Sequence, residues 1–420
     1  MPGSKAKSRL VKNTAYLYAL TFSSQIINLC TIPYQTRVLT PEMYGVVGFT
    51  VSLMNIFSLV LNFGFLYSAT KVVAENSNDK QCLSKTYTAV AVIKTTIGVV
   101  LALILGTAIM FVPFLREYSV LVMLYYLGYF FAAMLPDYLY RGVERMGAIT
   151  IRIVLIRLAS AAAIFILLKS DSDVLVLPLA MIAGNLIAFA FCLWFDSVKL
   201  GVKFCGVSAR YVTSVARDGF PYFVSRAAGT VYQSANAVIL SAMYPAQAVV
   251  GWFNASDKVL SVVKQVSSPV ADSIFPYMVK QRNYKLAIKL MVISAPIIAL
   301  GCAALFVFAD EFCVILFGNQ YAFAGDVLRC LIPAMAVIFP TYIICFPVLV
   351  PMGLSNYANA STVIGMCVQL ASLAILYFFG ALNVYSLCLC ASASEVVVFV
   401  FRLAVMVHFR DRMVINENAD

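Results

Sequence analysis

Long apolar stretches alternate with short polar ones along the whole chain, and the apolar stretches have the length of membrane crossings. They run Thr14–Val38, Tyr44–Thr70, Tyr87–Pro113, Val120–Tyr140, Ile151–Leu168 and Val174–Phe195, then Phe220–Met243, Ala246–Met278, Leu286–Phe308, Val327–Pro351, Ser361–Phe379 and Val384–Val407. Roughly 20 residues carry a helix across ~30 Å of hydrocarbon. The pattern therefore predicts an all-α integral membrane protein of about twelve transmembrane helices, in two groups of six. The division is expected between residues 1–203 and 204–420, within the polar, basic segment Asp196–Asp218, which is long enough to hold an amphipathic helix on the membrane surface.

Composition agrees: of 420 residues, 62% are hydrophobic and 12% charged, and the mean hydropathy is +0.90. One water-soluble core could not enclose so much apolar surface. The net charge of +11 would fit nucleic acid, anionic lipid or membrane topology, and its distribution selects topology. Lys5, Lys7, Arg9 and Lys12, then Lys71, Lys80 and Lys85, then Arg141, Arg145 and Arg152, then Lys199, Lys203, Arg210 and Arg217, then Lys280, Arg282, Lys285 and Lys289 all fall on one side. The opposite connections hold little beyond Arg37, Arg116 and Lys169, and are locally acidic at Asp171, Asp173, Asp310 and Glu311. By the positive-inside rule both termini and the Asp196–Asp218 linker are expected to be cytoplasmic, as an even number of crossings requires. The first run follows a basic arm without a small-residue cleavage site and reads as an uncleaved anchor.

Several chemistries are excluded. His408 is the sole histidine, so His-ligated zinc, a Ser-His-Asp triad and a histidine proton relay are ruled out. No GxxxxGK[ST] phosphate loop occurs, so the chain carries no such ATPase motif. Eight of the eleven cysteines sit inside apolar runs, where cysteine behaves as a small hydrophobe. No catalytic group, cofactor, metal or nucleic-acid partner is expected.

Polar residues inside the runs recur at helical spacing. In the eighth run Asn254, Asp257, Ser261, Lys264 and Ser268 form a stripe flanked by Lys258, Gln265 and Asp272. In the seventh, Tyr222, Arg226, Gln233 and Asn236 share a face; in the first, Ser24, Asn28, Thr31 and Gln35; in the second, Asn55 and Asn62. Runs one, two, seven and eight occupy equivalent positions in the two halves. Tyr44-Gly45-Val46-Val47-Gly48-Phe49 and Val249-Val250-Gly251-Trp252-Phe253 also form a faint repeat, and paired halves are what alternating-access carriers use. The expectation is a wet cavity between two lobes. Its charge should be positive, because Lys94, Arg157, Arg226, Lys258, Lys264 and Arg402 outnumber Asp257, Asp272 and Glu395, and cations, arginine above all, hold phosphate oxygens.

Each group has a plainer reading as well. Arg157 and Arg402 fit snorkelling from a helix end, and Asp257 or Lys258 fits a structural pair with another helix. Glu395 fits neutralisation of a buried cation as well as an ion-coupling role. Asn55 and Asn62 fit interhelical hydrogen bonding. Pro269, Pro296 and Pro340 are expected to kink their helices.

The stretches Pro33-Tyr34 through Arg37-Val38-Leu39, Pro41-Glu42-Met43-Tyr44-Gly45, Gly64-Phe65, Ser68-Ala69-Thr70-Lys71 and, above all, Pro136-Asp137-Tyr138-Leu139-Tyr140-Arg141-Gly142-Val143-Glu144-Arg145-Met146 resemble those of the Wzx-type polysaccharide repeat-unit flippases, a branch of the multidrug/oligosaccharidyl-lipid/polysaccharide exporter superfamily. Val250-Gly251-Trp252-Phe253, Asp257-Lys258 and Leu316-Phe317-Gly318-Asn319-Gln320-Tyr321 are similar to further landmarks. Tyr138 and Arg141 depart from the commoner tryptophan and glutamine.

The resemblance implies two six-helix lobes around a central cavity in a bacterial inner membrane. It also implies translocation of an oligosaccharide on undecaprenyl diphosphate toward the outer leaflet, where polysaccharide polymerase and chain-length machinery would use it, driven by an ion gradient with Asp257 and Glu395 as coupling candidates. A cation-exporting drug carrier of the same fold is the rival, set back by the balance of buried charge. A membrane polymerase or ligase is disfavoured by the shortness of the longest outer loop, Ala309–Asp326.

Overall fold

A computed structural model describes residue 27 and residues 30–143 and 146–412, without the side chains of residues 146, 148–151, 225, 226, 228–235, 276, 277, 279–281 and 412. Among the described residues the secondary structure is helical, with no strand. In hydrocarbon every backbone N–H and C=O must be paired within the protein, and a helix does this along its own length.

Residues 30–38 are helical. They are followed by α1 (Pro41–Asn62), α2 (Phe65–Glu75), α3 (Lys80–Phe111), α4 (Pro113–Glu117), α5 (Ser119–Met134), α6 (Asp137–Gly142), α7 (Met146–Leu167) and α8 (Val176–Phe195). The second series is α9 (Ala209–Met243), α10 (Ala248–Gln281), α11 (Tyr284–Val307), α12 (Ala309–Phe317), α13 (Ala324–Ile343), α14 (Ser355–Phe378) and α15 (Val384–His408).

Eight stretches of the described chain are long and apolar enough to cross a membrane: Pro41–Glu75, Lys80–Phe111, Ser119–Gly142, Asp171–Leu200, Tyr284–Val307, Ala324–Leu349, Ser355–Phe378 and Val384–His408. Four expected crossings remain. The first falls mostly outside the described residues. The others are α7, with Arg152 and Arg157, and α9 and α10, which have the length but carry the polar stripes. The surface is apolar where a soluble protein's would be polar: Met110 is 76% exposed, Phe111 84%, Ile297 69% and Leu300 72%. Lipid is the solvent those side chains require, and the chain is a multi-pass membrane protein.

The chain forms two compact units. One comprises the described residues up to Leu39 together with Phe49–Thr230; the other comprises Thr40–Gly48 and the described residues from Val231. The change-over lies inside α9, later in the chain than the division expected from the polar segment. The first unit is built on Phe65, Ala69, Val73, Leu83, Tyr87, Val90, Tyr138, Leu139 and Val202, with α5 packed on α8, α2 on α6 and α7 on α8. The second is built on Ala271, Met278, Tyr284, Ile343, Ile344, Val348, Leu349, Val405 and Met406, where α13 lies between α10 and α15.

Three local expectations are corrected. The run Tyr44–Thr70 is two helices, not one, because Phe63 and Gly64 take positive φ values of 41° and 76°. A Cβ on Gly64 would lie 2.5 Å from the Gly219 carbonyl and 2.8 Å from the Phe223 amide nitrogen, so only glycine fits a left-handed residue packed so tightly. The run Val120–Tyr140 breaks at Leu135 and Pro136, since proline offers no N–H to continue the helix.

The segment Asp196–Asp218 holds no separate surface helix. It is a π-helical turn Asp196–Leu200, an irregular stretch, and the opening turns of α9. The irregular stretch is pinned to α3, where Lys203 N donates to Ser84 Oγ (3.1 Å) and Cys205 N to Thr88 Oγ1 (3.0 Å). Of the proline positions, α10 and α11 run continuously through Pro269 and Pro296, whereas α13, after Pro340, passes into a second π turn, Ile344–Leu349.

Candidate functional site

The break between α5 and α6 leaves carbonyls at the end of α5 without helical donors, and a lysine fills the gap. Lys94, on α3 and 3% exposed, donates through Nζ to Ala133 O and to Asn62 Oδ1, the latter at 3.5 Å. Its ammonium lies 5.9 Å from the Tyr138 ring centroid. A cation at the C-terminal end of a helix also meets the favourable end of the dipole. Asn62 donates back to Ser58 O at 2.8 Å, and Asn55 accepts from Tyr129 Oη at 3.2 Å.

Lys94, Asn62 and Asn55 thus tie α1, α3 and α5 together, as the plainer reading of the two asparagines anticipated. Lys94 also lines a recess of about 360 Å³ with Tyr87, Met134, Tyr138, Phe189 and Phe204. Arg157 on α7 and Gln35 are half-buried. Arg226 stands on α9 within the first unit, but its side chain lies outside the described set, as does that of Gln233; Asn28 lies outside the described residues altogether.

In the second unit the α10 stripe meets α15. Lys264 Nζ donates to Glu395 Oε1 at 2.7 Å, with the two side chains 22% and 14% exposed, so a substrate-binding candidate and an ion-coupling candidate neutralise each other. One turn and more toward the start of α10, Asp257 and Lys258 are half-buried. The charges of Lys258 and Lys264 both act on Asp257.

Asn236 accepts from Gln369 Nε2, and Ser394 Oγ donates to Gln369 Oε1 at 3.2 Å, a chain linking α9, α14 and α15. Asn254 donates to Gly45 O at 3.4 Å. Arg402 is buried, 7% exposed, and neutral oxygens hold it: Ser361 Oγ at 2.8 Å, Thr341 O at 3.1 Å and Thr362 Oγ1 at 3.4 Å. This clamp on α13, α14 and α15 replaces the snorkelling reading.

Two ionic groups escaped the sequence reading. Arg329 bridges Asp310 (2.8 Å) and Asp326 (2.7 Å), fixing α12 against α13. Arg152 pairs with Asp137 and donates to Cys192 Sγ at 3.2 Å, joining α6, α7 and α8 beside Asp196, which is 1% exposed. Arg152 had counted only toward topology and Asp137 only toward a motif. Residues 15 apart across a helix break carry no periodic signal, and only the fold brings them together.

The comparisons bear on what such a chain does. The family model described as polysaccharide biosynthesis protein matches residues 10–282. A protein of Shigella dysenteriae named "Putative O-antigen transporter" is 24% identical over 402 residues, 93% of this chain and 98% of that one. A protein of the same name from Escherichia coli (strain K12) is 26% identical over 277 residues, 64% of this chain and 65% of that one.

Among solved structures, the lipid II flippase MurJ in an inward closed conformation aligns with a TM-score of 0.69 at 10% identity, covering 96% of this chain and 90% of that one. An inward-facing multidrug resistance transporter of the MATE family, in the MOP superfamily, gives 0.66 at 14% identity, covering 97% and 100%. The fold is therefore that of the MATE and MurJ transporters, and the curated relatives are named as transporters, not as enzymes. With a family match across more than half its length and a polar-striped helical membrane fold beneath it, this chain belongs to the polysaccharide biosynthesis protein family.

Proposed function

We propose that the chain is a flippase that moves oligosaccharide repeat units linked to undecaprenyl diphosphate from the cytoplasmic to the outer leaflet of a bacterial inner membrane, by alternating access driven by an ion gradient. The observation that carries this reading is the near end-to-end likeness to the Shigella dysenteriae protein, whose printed name is an O-antigen transporter. The excess of cations over carboxylates in the polar helices supports it, because a lipid diphosphate needs positive partners and a cationic drug does not. In this reading both termini are cytoplasmic, and the product passes to polymerising and chain-length machinery outside.

Arg226 and Lys258 bind the diphosphate. Lys258 is half-buried on α10, and Arg226 lies on α9, the polar-striped helix that precedes it. Asp257 becomes the stronger of the two coupling candidates, since Glu395 is engaged by Lys264.

The experiment uses the purified chain in liposomes with a fluorescent polyprenyl-diphosphate oligosaccharide in one leaflet, scored by its accessibility to a membrane-impermeant quencher. Chain-dependent exchange between leaflets is expected, with loss of at least tenfold in rate for Arg226→Gln and Lys258→Gln at equal protein levels. Cationic dye movement without lipid movement would replace this reading with a drug carrier.

A further inference from the structure

We propose that Asp196 is a proton-binding residue whose carboxyl carries an exchangeable proton, in a buried polar cluster at the end of α8 that is separate from the polar stripes assigned to substrate. The cluster lies within the first unit, and the inference stands whatever substrate the chain moves.

Geometry supplies the argument. Asp196 is 1% exposed, and neither carboxylate oxygen has a hydrogen-bond partner. The hydroxyls of Tyr87 from α3 and Tyr140 from α6 face it, together with the Arg152 guanidinium from α7, and the Tyr140 hydroxyl is itself without a partner. Tyr138 of α6 and Cys192 of α8 complete the titratable neighbours. Lys80 lies against Gly201 at the far end of the same turn, which also contains Lys199.

Within the enclosed set, Arg152 is already matched by Asp137, so an ionised Asp196 leaves one negative charge over. An unpaired buried charge is among the most expensive things a fold can contain, and Asp196 stands at the C-terminal end of α8, where the helix dipole adds to the cost. One proton removes the imbalance and needs no space. A metal cation would need roughly six oxygen ligands, more than one carboxylate and two hydroxyls offer.

One member of the cluster reaches solvent. Asp137, bonded to Arg152, is 32% exposed at its side chain, whereas Arg152 is 4% exposed. Water therefore meets the cluster at Asp137, the ion-pair partner of Arg152.

Infrared difference spectroscopy on the full chain in phospholipid nanodiscs, with carbon-13-labelled aspartate, tests the proposal. The difference between wild type and Asp196→Asn is expected to contain a protonated-carboxyl stretch that disappears as pH rises. In Tyr140→Phe, which takes a polar hydroxyl from the buried surroundings that face the carboxyl, the stretch should persist to higher pH. Should Asp196→Asn fail to fold, the wild-type titration and its displacement in Tyr140→Phe decide the matter. A carboxyl stretch of equal intensity in wild type and folded Asp196→Asn, or a wild-type spectrum with no protonated-carboxyl component that responds to pH, would overturn the assignment.

Discussion

A charge set among lipid-soluble helices needs a partner, and Lys264 and Glu395 provide one for each other at 2.7 Å. Removing Lys264 takes this ion-pair partner from Glu395. Lys264→Gln should lower stability by about 2 kcal/mol, less than the ~3–5 kcal/mol of a fully buried pair because both groups keep some solvent contact. The double exchange Lys264→Glu with Glu395→Lys should recover most of that loss, as read from melting in detergent; additive losses in the double variant would deny the pairing any energetic role.

At this scale the sequence was informative about residue types and silent about partners. Helical spacing placed Lys264 on a wet face, yet 131 residues separate it from Glu395, and no periodicity spans such a distance. Arg402 reads from sequence as a group near a helix end and proves to be a clamp on neutral oxygens. Lys94 reads as a cavity cation and also caps the break after α5.

At the level of elements, the faint repeat acquires a physical meaning within the second unit. The opening turns of α1 and α10 meet through glycines: a Cβ on Gly251 would collide with the Pro41 carbonyl, one on Gly48 with the Asn254 amide, and one on Gly45 would lie 3.0 Å from the Gly251 nitrogen. Two helices approach this closely only through small residues. Gly251→Ala should therefore destabilise by about 1–3 kcal/mol, the usual cost of overpacking. Gly301→Ala, on α11 with nothing within 4 Å, should be neutral or stabilising by about 0.5–1 kcal/mol. Thermal midpoints of the two variants in the same detergent provide the comparison, and equal midpoints would remove the glycine contact as a cause of the repeat.

Apolar length identified most of the helices, because hydrophobicity and span share a scale. It missed the breaks at Phe63–Gly64 and Leu135–Pro136 because those depend on backbone conformation and on close neighbours such as Gly219.

Across the whole chain, the distribution of lysine and arginine predicts the orientation in the membrane. Reporter fusions after residues 78 and 208, and at the C-terminus, should all read as cytoplasmic, and fusions after residues 171 and 319 as external. Any inversion of that alternation would overturn the orientation derived from loop charge. The division into compact units carries a different consequence. Thr40–Gly48 belongs with the second unit, and the opening part of α9, up to Thr230, belongs with the first. A chain severed at Gly206, where nothing crowds the backbone, would thus yield two fragments that each hold a piece of the other's unit. Expressed apart, both should be degraded; expressed in the same cell, they should rescue one another as a split protein.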